Sequence, residues 1–220
     1  MSDYAPGFPI TLAGIDCGRL AHWLWICKYH IINTDYKTTN ELSDRTPREV
    51  LFAKDVVKTE IPSLLKDYNV NFGLIDNEPD IESSARLCQG TVLQMADQKT
   101  QQAEEYKEGE AIDGGVTYPV WKIRNEKFLK QVQTIFITDW EDGYPLVQLP
   151  QSWEKYLSDN TENSPIRHLT APRYDPEERK WVRPDDHVDD LYYACAFCEA
   201  AFFIAIEKEV SKAKFTKAFS

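Results

Sequence analysis

Two apolar runs close to the N-terminus, residues 10–15 and 22–32, are joined by a link of only six residues, 16–21. Short runs rich in aromatic and β-branched residues, bounded by turn signals, read as strands. A link this short joins antiparallel neighbours, so the two runs predict a hairpin that seeds a sheet. The stretch "AGIDCGRLAHWLWICKY" places one carboxylate, Asp16, at the seam of that hairpin, followed at once by Cys17, Gly18 and Arg19.

The rest of the chain extends the sheet. Residues 1–9 carry prolines and a glycine and read as a leading segment; 33–48 are polar and predict a long connection before a third strand at 49–57. Ile61, Leu64, Leu65 and Tyr68 fall at helical spacing. A fourth strand at 70–75 ends in Asp76-Asn77-Glu78-Pro79. Pro79 then predicts a helix start, with Ile81, Ala85, Leu87 and Cys88 on it and Gly90 stopping it. A short fifth strand follows at 91–95. Residues 97–117, with an acidic run over 104–113 and then Gly114-Gly115, predict an exposed insertion or loop. Phe128, Leu129, Val132, Ile135 and Phe136 predict a helix, 144–149 a short apolar piece, 153–157 a turn or two of helix, and 167–182 a hairpin with a charged turn. Residues 185–208 predict a long final helix whose stripe is Leu191, Ala194, Cys195, Cys198, Ala201, Phe202, Ala205 and Ile206.

Tight early links favour antiparallel strands and the later helical crossovers favour parallel ones. The expected fold is therefore α/β, a mixed central sheet flanked by helices, in one domain over 1–220. With 220 residues, 42% of them hydrophobic, six Trp, eleven Tyr and ten Phe, the chain can bury a substantial core. No apolar run reaches membrane-spanning length, and the N-terminus lacks a basic-then-apolar signal pattern, so a soluble, intracellular chain is expected. Five scattered cysteines, several inside apolar runs, read as buried free thiols. A net charge of −11 argues against a protein that coats nucleic acid, yet leaves open a nuclease whose carboxylates gather divalent cations.

Three acidic positions stand where structure alone does not ask for them. Asp16 ends the first strand, Asp76 ends the fourth, and "DDHVDD", 185–190, opens the last helix. Ligand sites of open α/β sheets gather at the carboxyl ends of neighbouring strands. If the first and fourth strands pair, Asp16 and Asp76 meet there, and a helix N-terminus laid against them adds Asp186 or Asp189. Taken singly, such aspartates are caps and turn residues; taken in this order, they make a pattern. Several carboxylates in one small volume need a counter-charge, and hard oxygen donors suit Mg²⁺ or Mn²⁺. Two such ions support phosphodiester cleavage.

The motifs "GIDCGR" followed by "AHWLWI", then "GLIDNEP", "RHLTAPRYDPEERKWVRP" and "DDHVDDLYYA" resemble, in order and spacing, the nuclease domain of the large subunit of tailed-phage terminases. That family belongs to the ribonuclease H-like (integrase-type) superfamily, and the resemblance covers nearly the whole chain. It implies a ribonuclease H-like sheet of three antiparallel then parallel strands, closed by a long C-terminal helix. It also implies two bound divalent ions, Mg²⁺ or Mn²⁺, held by Asp16, Asp76 and an acidic residue at the start of the last helix. Laid on this sequence, the family pattern favours Asp186 and Asp189, three apart on one helix side, with Asp185 and Asp190 as alternates; His187 is off the family's histidine position and is kept only as an assistant. The implied activity is endonucleolytic cleavage of double-stranded viral DNA concatemers during packaging, with low sequence specificity. The implied setting is the host cell cytoplasm, with a terminase ATPase domain, a small terminase subunit and a portal as partners. No G-x-x-x-x-G-K-[ST] motif is present, so the ATPase domain is missing from the chain. An isolated nuclease portion, a separate subunit or another superfamily member all fit. The rivals are a Holliday-junction resolvase-like nuclease and a non-catalytic interaction module of the packaging motor.

Of the remaining features, Cys195-x-x-Cys198 lies on an apolar stripe without a second pair and predicts core packing. His22, His30 and His168 have no ligand spacing. Arg167, Arg173, Arg179, Lys180 and Arg183 flank the expected site. Arg179, Lys180 and Arg183, together with Arg19 beside the first-strand aspartate, are the candidate phosphate contacts.

Overall fold

The computed structural model describes residues 8–18, 21–31, 38–99, 102–139, 145–156, 164–175, 180–182 and 189–218. The first hairpin forms as expected: β1 (Phe8–Cys17) and β2 (His22–Ile31) run antiparallel in unbroken register from Phe8↔Ile31 to Cys17↔His22. The predicted connection after β2 contains a short helix, α1 (Thr39–Ser43), which Thr38 caps by accepting from the Glu41 amide at 3.2 Å. Arg48, expected to end that connection, instead begins β3 (Arg48–Val56). A 3-10 turn, Lys58–Glu60, leads into α2 (Ile61–Asp67), then β4 (Phe72–Asp76) and α3 (Ile81–Cys88). Pro79 lies ahead of α3 rather than in its first turn. Asp80 is the cap, its carboxylate accepting from the Ser83 amide at 3.0 Å, and Gly90 at φ +79° follows the helix.

The segment expected to be a loop at 97–117 is mostly strand. β5 (Leu93–Lys99) runs into it, and β6 (Tyr106–Asp113) and β7 (Val116–Arg124) form an antiparallel hairpin turned by Gly114 and Gly115 at φ +54° and +80°. The exposure was legible; the pairing was not, because both faces of β6 are polar and no alternation marks it. Beyond it come α4 (Asn125–Ile137), the two-residue β8 (Val147–Gln148), a 3-10 turn (Gln151–Tyr156) and α5 (Pro165–Thr170). β9 (Arg173–Asp175) and β10 (Lys180–Val182) pair antiparallel as the expected hairpin, in a two-stranded sheet of their own, but the start of the expected span, 167–170, lies in α5. The last helix, α6 (Asp190–Ala218), starts later than residue 185.

The eight-stranded sheet has the order β6-β7-β5-β4-β1-β2-β3-β8. Its middle, β3-β2-β1-β4-β5, has an antiparallel meander on one side of β1 and parallel strands on the other. This is the expected mixed sheet, consistent with a ribonuclease H-like fold. Alternate residues serve two cores. Leu12, Trp23, Trp25, Tyr29 and Leu74 pack under α4 and α6, with Phe128, Phe197 and Phe202. Ala13, Ile15, Leu24, Ile26 and Ile75 pack on the other face against Ile61, Leu65, Ile81 and Leu87 of α2 and α3. Cys195 and Cys198 are buried in the first core, as their stripe predicted. Among the described residues, no helix is long and apolar enough to cross a membrane.

The position of α6 is fixed by two features. Gly14 presents no side chain to it: a Cβ there would stand 2.0 Å from the Ala194 carbonyl oxygen and 2.4 Å from the Cys198 nitrogen. The helix backbone therefore rests directly on β1. Further along α6, Glu199 is buried against Arg48. Arg48 Nε and Nη2 donate to the two Glu199 oxygens at 2.8 Å each, and Tyr29 Oη donates to Oε1 at 2.8 Å. The remaining guanidinium donors go to the carbonyls of Ser43 and Thr46 and to Ser43 Oγ, so the whole fork is satisfied.

Candidate active site

β1 and β4 are parallel neighbours with Ile15 opposite Ile75. Asp16 and Asp76 therefore sit one step further along adjacent strands, which are about 4.8 Å apart. Leu12 and Leu74 belong to the core under α6, so two-residue alternation turns Gly14, Asp16 and Asp76 to that same side. α6 runs antiparallel to β1: Ala194 lies over Gly14, while Glu199 meets Tyr29, whose strand partner is Ile10. One helical turn from Ala194 back to Asp190 covers about 6 Å, and two strand residues from Gly14 to Asp16 cover about 6.7 Å. The glycine contact thus brings the start of α6 to Asp16.

The electrostatics agree. Burial raises the Asp16 carboxyl well above the usual carboxylate range, and the charges of Asp76, Asp190 and Asp189 raise it further. Asp76 is pushed up to about 7, mainly by burial, with Glu78 and Asp97 adding like charge. The amides of Glu78 and Asn77 pull the other way; Glu78 N donates to Asp76 Oδ1 at 3.2 Å. Ser84 of α3 donates to the Asp76 carbonyl at 2.9 Å and so ties this strand end to the helix beneath it. Each charge named on Asp16 is negative, and hard oxygen donors gathered in this way suit a divalent cation. Among the described residues, no three His, Cys, Asp or Glu side chains already converge on one coordination point. The fit to a metal therefore rests on the chemistry and crowding of the donors.

Of the sequence-expected carboxylates, Asp76, Asp189 and Asp190 lie near enough to Asp16 to act on its charge. Asp189 precedes α6 rather than lying within it, so the expected helix side shared by Asp186 and Asp189 is not formed at Asp189. Its carbonyl accepts from Tyr192 N at 2.8 Å and Tyr193 N at 3.1 Å, which makes it the residue that opens the helix. Asp190, expected only as an alternate, is the first helical residue on the face toward Asp16. Asp185, Asp186 and His187 lie outside the described residues, as do Arg19, Arg179 and Arg183. Lys180 begins β10, and its side chain is not described.

Several contributors gave little sequence signal. Asp97, read as the start of an insertion, is buried at the end of β5, paired with Lys99 at 2.8 Å and close enough to act on Asp76. Gly18 stands where a Cβ would be 2.5 Å from the Ala21 carbonyl oxygen, so backbone approaches it closely. Gly14 did carry a signal, since a lone glycine inside an apolar strand marks close backbone approach. Comparison of the chain with protein-family models, with curated proteins and with solved structures finds no match.

Proposed function

We propose that the protein is a metal-dependent endonuclease that cleaves double-stranded viral DNA concatemers during genome packaging, with low sequence specificity. The observation that supports this reading is the like charge that Asp76, Asp189 and Asp190 bring to bear on Asp16 at the carboxyl end of β1 in a β3-β2-β1-β4-β5 sheet. The ordered resemblance of the sequence motifs to terminase nuclease domains supplies the substrate and the setting: the host cell cytoplasm, with an ATPase domain, a small terminase subunit and a portal as partners.

Asp16, acted on by all three other carboxylates, is the shared residue of the site. Asp76, whose carboxylate accepts from the Glu78 amide, and Asp189 and Asp190 would complete the set of donors that holds the ions. Two bound Mg²⁺ or Mn²⁺ ions would supply Lewis acidity to an attacking water and to the leaving oxygen of the phosphodiester. The buried, paired residues Ile15 and Ile75 anchor the strand ends that carry Asp16 and Asp76. Arg19, Arg179, Lys180 and Arg183 are assigned to DNA phosphates.

Nicking of supercoiled plasmid in Mn²⁺ tests the reading. Wild type is expected to nick and then linearise the plasmid, and Asp76→Asn to lose activity on the order of 10² or more, the scale of losing one electrostatic element of a site. Equal digestion by both proteins, or by neither, overturns the reading. Preferential cutting of four-way junctions over duplex plasmid would transfer the same carboxylates to a resolvase.

A further inference from the structure

We infer that His168 is a positioning residue that holds the start of α6, and with it Asp189 and Asp190, against Asp16. The inference rests on the proposed metal site and adds a residue outside the carboxylate set.

His168 lies on α5 and is 1% exposed. Its ring packs on Trp23 with centroids 3.9 Å apart. Trp23 is the cross-strand partner of Asp16, on the same side of the sheet. The ring also reaches α6: the Leu191 amide donates to His168 Nδ1 at 3.4 Å. The contacts close a loop from Asp16 to Trp23, to His168, to the first turn of α6 and back to Asp16.

The chemistry of that amide makes the contact specific. The first N–H groups of a helix have no partner within it, and a buried one needs an acceptor. Leu191 is the second residue of α6, and its amide is of the kind that the side chain of a residue such as Asp189 ordinarily takes. Here the acceptor comes from another element, so this amide makes no demand on the Asp189 carboxylate. An acceptor at Nδ1 requires that nitrogen to be unprotonated, which places the ring proton on Nε2. Leu191 itself is fully buried, and α5 packs against α6 in the same core. Groups behind metal-binding residues that orient them typically change affinity 10–100-fold when removed.

Two variants separate the acceptor from the packing. His168→Asn keeps an acceptor oxygen close to the Nδ1 position; His168→Leu fills space without one. Two measurements are made on each full-length variant: amide exchange at Leu191 in the metal-free protein, and Mn²⁺ affinity by calorimetry. Leu191 is expected to be protected in wild type and His168→Asn and to lose protection in His168→Leu. Mn²⁺ affinity is expected to fall about 10-fold or more in His168→Leu and to stay within a few-fold of wild type in His168→Asn. Should His168→Leu not fold, His168→Gln displaces the acceptor instead and is expected to weaken Mn²⁺ binding relative to His168→Asn. Wild-type affinity in His168→Leu, or equal loss in the Asn and Leu variants, overturns the positioning role while leaving the metal site standing. A wild-type chain with a protected Leu191 amide and no Mn²⁺ binding overturns the metal site, and the positioning role with it.

Discussion

At the Arg48–Glu199 pair, both side chains are almost wholly buried and each charge meets its opposite through two bonds of 2.8 Å. At the end of β1, every charge named on Asp16 has the same sign as its own. Both groups sit on the face of the sheet that α6 covers, and α6 contributes to each. The difference separates two uses of buried charge. The first group is complete within the chain and locates the helix. In the second, burial and then like charge raise the Asp16 carboxyl, and such crowding is relieved by protons or by an external cation.

The largest effect that sharpens this contrast is Arg48→Met. Removing one partner of a buried pair leaves the other unpaired, at a cost of about 3–5 kcal/mol. Chemical denaturation should register that loss equally with Mn²⁺ and with chelator, because no cation belongs to this group. Gly14→Ala attacks the joint between the two regions. Its methyl group would strike the α6 backbone, so a loss of about 1–3 kcal/mol or more is expected. Unlike Arg48→Met in its cation independence, this variant should also blunt the gain in melting temperature that Mn²⁺ gives wild type. An unchanged Mn²⁺ response would mean that the helix start is set by something other than the glycine contact.

A third effect has the opposite sign. In chelator, Asp76 releases its proton at about 7 in the folded chain, against about 3.9 when unfolded. Between those values the folded state holds more protons, so its stability falls as pH rises, and above them the penalty is complete. Melting temperature in chelator should therefore drop from about pH 5 to pH 8. Asp76→Asn should flatten that slope and melt higher than wild type at the alkaline end, while losing the response to Mn²⁺. A variant that melts lower there would show that Asp76 stabilises the fold rather than straining it.

β1 to β5 and the first two aspartates were legible because the signals are local: apolar runs with turn boundaries, two of them, β1 and β4, meeting an acid at their ends; β6 and β7 carried no such signal. The side to which Asp16 and Asp76 point followed from alternation once β1 and β4 paired. The start of α6 was less legible, since a run of aspartates reads equally well as the first turn or as the approach to it. Arg48 and Glu199 left no trace, one lying at the end of a polar stretch and the other between Cys198 and Ala200 in an apolar helix. Their meaning exists only across 151 residues of sequence separation. His168 was silent for the same reason. Its partner is an amide of a distant helix, and no side-chain spacing encodes that.

Glu199 and Asp190 stand nine residues apart on one continuous helix, a span of about 13.5 Å. A helix of that length is a stiff spacer, so the ion pair and the acidic cluster form the two ends of a gauge. Slippage of α6 along β1 would have to break the fork at one end as it misaligned a carboxylate at the other. The placing of Asp190 is thus held to the tolerance of a two-bond lock far from it, and errors made in one place are detected in the other.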